Sequence, residues 1–374
     1  MPLNVQIKKQ YGAFRLNVDF SAQPGEVLAL LGASGCGKSA TLKCIAGIHR
    51  PDWGRIELDG RVLFDSERRI DLPPQKRRVG YLFQQYALFP HMTAEQNIAA
   101  CLGRLDRKKR RERTAELVAL LRLEGAEGLR PAQLSGGQQQ RTALARILAS
   151  QPLAILLDEP LAALDNFLRR QLEPELRDVL ERFGGPAVWV SHDRGEVYRN
   201  CRRVCVLTAG RSAPACGMRE LMSSPKTVGA ARLSGCGSYA PVQPGPRPGT
   251  VSVPVWGLTL EAAAPWREGV TVLGIREERV RPAGEGAENA FRCRVVRVTE
   301  DVSAMLADLQ PEGAAENAPL LRMALGKDVW AALPDKERVL VLVHAGDLLL
   351  LEDDAGVGLC PNPAGALPLH PTAL

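Results

Sequence analysis

Residues Gly32-Ala33-Ser34-Gly35-Cys36-Gly37-Lys38-Ser39 match the spacing G-x-x-x-x-G-K-[ST]. In that spacing glycines let backbone N–H groups approach a phosphate, a lysine reaches its outer oxygens, and a hydroxyl helps to hold Mg²⁺. Here those two side chains are Lys38 and Ser39. A glycine-rich chain can meet this spacing by chance, so two patterns further along carry much of the weight. One is Leu134-Ser135-Gly136-Gly137-Gln138, and the other is the apolar run Ala154-Ile155-Leu156-Leu157 ending in Asp158-Glu159-Pro160. Beside a phosphate, Asp158 can hold Mg²⁺ through water and Glu159 can polarise an attacking water. Away from one, the pair is a solvated strand end.

The surrounding residues predict elements that would position these groups. Glu26 to Leu31 is a short apolar run ending where the glycines begin, and a helix is expected from Lys38 to Ala46 with Gly47 as its C-terminal cap. Strand, loop and helix together deliver a phosphate to unpaired N–H groups at the positive end of a helix dipole. The run Ala154–Leu157 reads as a strand buried on both faces of a parallel sheet. Ligands of open α/β sheets sit at the carboxyl ends of strands, which brings Asp158 and Glu159 toward the cradle. Ser135 is a natural N-cap for a helix that follows it.

In this order the motifs resemble those of ATP-binding-cassette ATPases, specifically the subunits that power bacterial importers of small solutes. The resemblance covers about Leu3 to Pro225. It implies an α/β fold, a P-loop cassette ATPase domain, with ATP and Mg²⁺ as cofactors. It implies that Tyr11 stacks on adenine and that Gly32, Ala33, Ser34, Gly35, Cys36, Gly37, Lys38, Ser39 and Ala40 hold the phosphates. Ser39, Gln84 and Asp158 correspond to the Mg²⁺ ligands, while Glu159, His192 and Gln84 correspond to the groups that activate water and sense the γ-phosphate. Ser135, Gly136, Gly137 and Gln138 match the family signature, and Asp165 closes the loop Leu161-Ala162-Ala163-Leu164-Asp165 that couples two sites. By itself, Tyr11 would read as an edge-strand tyrosine, and His192 as a structural histidine after a strand. Ser39 and Ala40 stand where threonines are frequent in the family, and Thr142 replaces a common apolar residue; none of these changes removes a catalytic group.

The resemblance also implies partners. Each ATP lies between the cradle of one subunit and the signature of another, so a homodimer is expected. So are integral-membrane permease subunits, an extracytoplasmic substrate-binding protein acting through them, and a peripheral position on the cytoplasmic face of the cell membrane. The segment Gln84 to Asn97 is expected to form the groove for a short permease helix, because Leu88-Phe89-Pro90 would be costly to expose unpartnered.

The 374 residues favour two domains, and 45% hydrophobic content supplies ample core. The longest apolar stretches are strand-sized, and Met1 to Gly12 lacks the apolar core of a signal peptide. Nine cysteines at irregular spacing suggest reduced thiols and no zinc site, with Cys36 the thiol whose modification would cost ATP binding. The net charge is +6, part of it in Arg107-Lys108-Lys109-Arg110-Arg111, which interrupts a helical pattern. A solvated helix face accounts for that run better than nucleic-acid binding, since no stacking aromatics accompany it. A repair or RNA-associated cassette ATPase is the alternative of a different class.

The cassette domain is expected over 1–225 and a β-rich regulatory domain over 226–374. After the cassette, Ser234 to Gly249 reads as a Pro/Gly-rich linker or loop. Beyond it short alternating strands are predicted at Thr250–Val255, Val270–Ile275, Phe291–Val298, Leu320–Leu325 and Val339–Val343, the texture of a small β-barrel. An internal echo relates Val270 to Val280 with Val339 to Leu349. The tail resembles oligonucleotide/oligosaccharide-binding-like barrels appended to import ATPases, most clearly over 289–351, some of which hold oxyanions. The stretches Gly60–Asp65 and Leu72–Tyr81 look most like molybdate import ATPases. Sulfate is the second reading, and ferric iron or a sugar the third.

Overall fold

The computed structural model describes residues 2–162, 164–284 and 286–354, without the side chain of Asn166. Ala163 of the expected coupling loop, Cys360 and the remainder of the expected second domain lie outside the described residues. The chain divides into two compact units, Met1–Arg219 and Glu220–Leu374.

The first unit is built on one mixed sheet. Val79–Leu82, Ala154–Asp158, Ala187–Val190, Val27–Leu31 and Arg203–Thr208 lie side by side and parallel in that order. Ala154–Asp158 and Ala187–Val190 are buried at every residue, as runs without polar alternation require when both sheet faces are covered. The sheet continues into an antiparallel part containing Leu3–Tyr11 and Phe14–Ala22, where buried and exposed residues alternate.

The predicted helix Lys38–Ala46 forms, with Gly47 at its C-cap in the left-handed region (φ 81°). No other residue suits that position, because a Cβ there would stand 2.5 Å from Arg77 Nε. Arg77 is fully buried and donates to the carbonyls of Cys44, Ile45 and Leu72 and to Asp71, so it adds donors at the helix end, where the Cys44 carbonyl also accepts from the Gly47 N–H. Three further helices, Ala94–Ala99, Arg107–Leu120 and Gly136–Ala149, pack together. The basic run does not interrupt a helix as expected. It forms the first turns of Arg107–Leu120, which starts at Asp106 because that carboxylate accepts from the Lys109 N–H.

The second unit is β-rich and contains a small, nearly closed barrel-like sheet, ordered Arg281–Pro282, Arg338–Leu342, Ala290–Glu300, Ala304–Pro311, Leu321–Gly326. Each of the five predicted strands is present within two residues of its expected ends. The linker reading of Ser234–Gly249 is corrected: Cys236–Pro241 is a strand paired with Val270–Arg276, burying Cys236, Ser238 and Ala240. The prolines misled because Pro241 closes that strand and Pro244 sits on the short edge strand Gln243–Pro244, where a missing N–H costs little.

The internal echo has a structural counterpart. Val270–Arg276 runs through a 3₁₀ turn into Arg281–Pro282, and Arg338–Leu342 runs through a 3₁₀ turn into Leu349–Glu352. Each half then lends its return strand to the other, since Arg281–Pro282 pairs with Arg338–Leu342 and Leu349–Glu352 pairs with Val270–Arg276.

Candidate functional site

The cradle loop Gly32–Gly37 leads from the buried strand Val27–Leu31 into the helix Lys38–Ala46. Gly37 at the N-cap has φ 105° and offers no side-chain cap, so the first N–H groups of this helix are left for a ligand. Lys38 is buried, and its ammonium donates to the carbonyls of Gly32 (2.8 Å) and Ala33 (2.9 Å). The loop thus folds around its own cation. Cys36 is buried too, its Sγ 3.8 Å from Lys38 Nζ. Burial pushes its thiol up, against the opposing pull of Lys38, so the thiol is a poor nucleophile here. This argues against the expected easy modification.

Beside the loop opens a cavity of about 680 Å³, lined by Tyr11, Phe14, Ser34, Gly35, Gly37, Lys38, Ser39, Ala40, Glu159 and His192. Tyr11 is half-buried and its hydroxyl lies 2.7 Å from His49 Nδ1. Burial raises the Tyr11 phenol, with Cys44 adding to the effect, and burial lowers the His49 imidazole with help from Lys43 and Lys9. A neutral His49 can therefore accept from Tyr11 and hold the ring at the cavity mouth. Phe14 was not anticipated from the sequence; it adds a second aromatic wall.

At the far side the strand ends bring their polar residues together. Ser39 donates to Asp158 Oδ1 (2.8 Å) across 119 residues of chain. Glu159 has φ 48° and is pinned by its N–H to the Val190 carbonyl. Its carboxylate lies between the Gln84 amide, which donates at 3.2 Å, and His192 Nδ1 at 3.3 Å. Asp193 caps the helix Arg194–Asn200 directly after His192; burial alone would raise its carboxyl, but the N–H groups of Glu196 and Gly195 hold it below the usual range. Ser39, Asp158 and Gln84 offer a hydroxyl, a carboxylate and an amide oxygen, the hard donors that suit Mg²⁺ alongside phosphate and water.

The signature does not join this cluster. Ser135 accepts from the Gln138 N–H and Gln138 returns a bond to the Ser135 N–H, a reciprocal cap of the helix Gly136–Ala149, and none of Ser135, Gly136, Gly137 or Gln138 lines the cavity. Asp165 likewise caps its own helix, Asn166–Phe183, by accepting from the Leu168 N–H.

Sequence reasoning also missed what shapes the segment after Gln84. Tyr86 and Ala87 have φ of 56° and 47°, and Arg146 donates to both of their carbonyls (3.0 and 2.7 Å). The Arg146 guanidinium also lies 5.3 Å from the Phe89 ring centre. Fully buried Asn97 accepts from the Phe89 N–H and donates to the carbonyls of Phe89, Met92 and Thr93. Phe89 itself stays 42% exposed. Nothing local in the sequence marks Arg146 or Asn97, because their partners lie on a loop with no periodicity.

Comparison with known proteins agrees with this geometry. A family model described as ABC transporter matches residues 16–162. The chain is 41% identical over 223 residues to the molybdenum import ATP-binding protein ModC of Paramagnetospirillum magneticum, covering 60% of this chain and 61% of that relative. It is 39% identical over 312 residues to a sulfate/thiosulfate import ATP-binding protein of Chromobacterium violaceum, covering 82% of each. A solved dimeric ATP-binding cassette in a post-hydrolysis state, bound to ADP and Pi, superposes with a TM-score of 0.50 at 30% identity, covering 59% of this chain and 99% of that one. The chain thus spans about three fifths of the length of the molybdenum relative. With a relative of this identity matched over four fifths of its length, and the cradle, carboxylate pair and histidine assembled at the carboxyl ends of three neighbouring strands, the chain belongs to the ABC transporter family, among its import ATP-binding proteins.

Proposed function

We propose that this protein is the ATP-hydrolysing subunit of an ABC importer, working as a homodimer on membrane permease subunits that receive solute from an extracytoplasmic binding protein. The observation that carries the reading is the carboxylate of Glu159, held between Gln84 and His192 at the edge of the cradle cavity. Glu159 polarises the attacking water, and Gln84 and His192 orient the carboxylate and report the γ-phosphate. Lys38 exchanges its loop carbonyls for phosphate oxygens, a trade of neutral for charge-assisted hydrogen bonds. Tyr11 and Phe14 receive the adenine. Ser39 and Asp158, with Gln84, hold Mg²⁺, which when bound neutralises charge on the phosphates.

On this reading the nucleotide-binding domain, expected over 1–225, corresponds to the unit Met1–Arg219, and the regulatory domain, expected over 226–374, to Glu220–Leu374, a boundary six residues earlier. The protein sits on the cytoplasmic face of the membrane; among the described residues no helix is long and apolar enough to cross it. Molybdate is the proposed solute, supported by the relatives named for molybdenum import. Sulfate or thiosulfate is the second reading. It is favoured because that relative's match is longer than the whole first unit and so reaches into the second. Other relatives are named for spermidine/putrescine and for Fe(3+) import. An oxyanion bound by the second unit would act by favouring one dimer state over another. No nucleic acid enters the scheme.

The test is Glu159→Gln. It is expected to keep ATP binding, lower turnover at least a hundredfold, a loss on the scale of removing a general base, and trap an ATP-bound dimer on size exclusion. Wild-type turnover in that variant removes Glu159 from the role. Uptake by cells carrying the chain with its permease, competed with molybdate, sulfate and thiosulfate in turn, decides the solute.

A further inference from the structure

Asp158 is bound on both of its oxygens. Ser39 donates to Oδ1, and the phenol of Tyr81 donates to Oδ2 at 2.7 Å. Tyr81 lies on Val79–Leu82, the parallel neighbour of Ala154–Asp158, in register with Leu156. Side chains two apart on a strand share a face, so Tyr81, Leu156 and Asp158 line one side of the sheet. Two residues advance about 6.6 Å along a strand, which a phenol can span and a shorter side chain cannot. Both ends of the bond are buried, Tyr81 at 9% and Asp158 at 7% exposure, against the core cluster that includes Leu156. A phenylalanine would fill the same space and leave the buried Oδ2 without that donor. Tyr81 also packs edge-on against Phe83, ring centres 4.2 Å apart, one residue before Gln84.

We propose that Tyr81 is a positioning residue for the metal site: its hydroxyl fixes the Asp158 carboxylate so that Oδ1 and Ser39 Oγ meet Mg²⁺ already aligned. The inference rests on the reading of this site as an Mg²⁺–nucleotide site. The hydroxyl, donating to one oxygen, fixes the tilt of the carboxylate plane and so the direction in which the other oxygen faces Ser39. Without it the Ser39 bond alone holds the carboxylate, which can then turn about its last bond, and alignment must be regained at each metal binding. Outer partners of metal-ligating groups commonly control affinity in this way. Because Tyr81 stands on the strand that leads to Gln84, the same bond ties the carboxylate end and the glutamine end of the site together.

The test is Tyr81→Phe in the full chain, with Mn²⁺ as a spectroscopic probe for Mg²⁺. Titration of Mn²⁺ into the ADP-bound protein by electron paramagnetic resonance is expected to show about tenfold or greater weakening, while ADP binding in EDTA stays within twofold of wild type. Turnover is expected to recover as Mg²⁺ is raised. Equal losses with and without metal would mean that Tyr81 only packs, and unchanged Mn²⁺ affinity would likewise overturn the inference. Failure of the wild type to bind ADP at all would instead sink the nucleotide reading. Should the variant not fold, ¹⁹F NMR of the wild-type chain labelled with 3-fluorotyrosine provides the second measurement. Only five tyrosines are present, and replacing the other four singly identifies the Tyr81 resonance. That resonance is expected to shift when Mg²⁺ joins the ADP complex; no shift counts against the proposal.

Discussion

Two glycine-rich motifs in the first unit stand at helix N-termini, and the two helices begin in opposite ways. The helix Lys38–Ala46 starts at Gly37, which has no side chain to cap it, and its free N–H groups face a cavity. The helix Gly136–Ala149 starts at Ser135, which with Gln138 forms a reciprocal cap, and it faces no cavity among those lined by the cradle. An uncapped N-terminus keeps its donors and its dipole for an anion, whereas a capped one has already spent part of them internally. On the proposed reading the cradle therefore presents its donors within a single chain. The signature helix, on the same reading, has one of its first N–H groups already capped by Ser135, whose hydroxyl proton stays available, which suits a half-site that engages when a second subunit arrives.

Lys38→Met breaks the open side of this comparison and carries the largest expected effect on binding. Loss of charge-assisted hydrogen bonds to phosphate, roughly 3 kcal/mol, weakens ATP affinity of the isolated chain about a hundredfold. Titration calorimetry measures it, and an affinity within threefold of wild type would show that the ammonium does not leave its loop carbonyls. Ser135→Ala addresses the capped side. Single-chain ATP affinity should hold, turnover should fall about tenfold through a weaker closed dimer, and the lost cap should cost about 1 kcal/mol, or 2–4 °C in melting temperature. A drop in single-chain affinity would contradict the division between the two helix ends.

Phe89→Ala extends the comparison to the surface. Phe89 is exposed while its backbone is clamped by Asn97 and its ring lies by Arg146, so the variant should bind nucleotide normally and lose several-fold in assembly with the permease, measured by co-purification. Undiminished assembly would remove the segment from the partner surface.

The smallest effect expected is a pH dependence at the cavity mouth. The folded His49 value lies below its unfolded one, near 6.5. Its contribution is thus fully present above that pH and lost as pH falls through the lowered folded value. Protonated, His49 cannot accept from Tyr11, so ATP affinity should decline modestly over the same window. Groups facing the pair are Lys9, Lys43, Cys44 and Asp52, and His49→Gln should flatten the profile. A profile identical in wild type and variant would assign the dependence elsewhere.

Much of the cradle was legible along the chain because its parts are local. Gly32 to Ser39, the preceding apolar run and Gly47 define strand, loop, helix and cap within about twenty residues, and each rests on a short-range rule of φ, hydrogen bonding or dipole. The strand ending in Asp158-Glu159 was legible for the same reason, since burial on both faces leaves an unbroken apolar run. In the second unit alternation revealed five of the eleven strands among the described residues; Ala304–Pro311 was missed, and Cys236–Pro241 was hidden behind prolines that lie at its end and on an edge.

What residue order alone determined is the set of groups proposed to bind phosphate and activate water, because their types and short spacings have few other uses. Tertiary structure alone decided how those groups meet. Ser39 reaches Asp158 across 119 residues, Tyr81 reaches it across 77, and Glu159 meets Gln84 across 75. Such contacts depend on strand order and register, which come from packing of whole faces against one core and leave no mark at the individual positions. For that reason Tyr81, Arg146 and Asn97 read as ordinary residues in the sequence and as fixed points of the site in the fold.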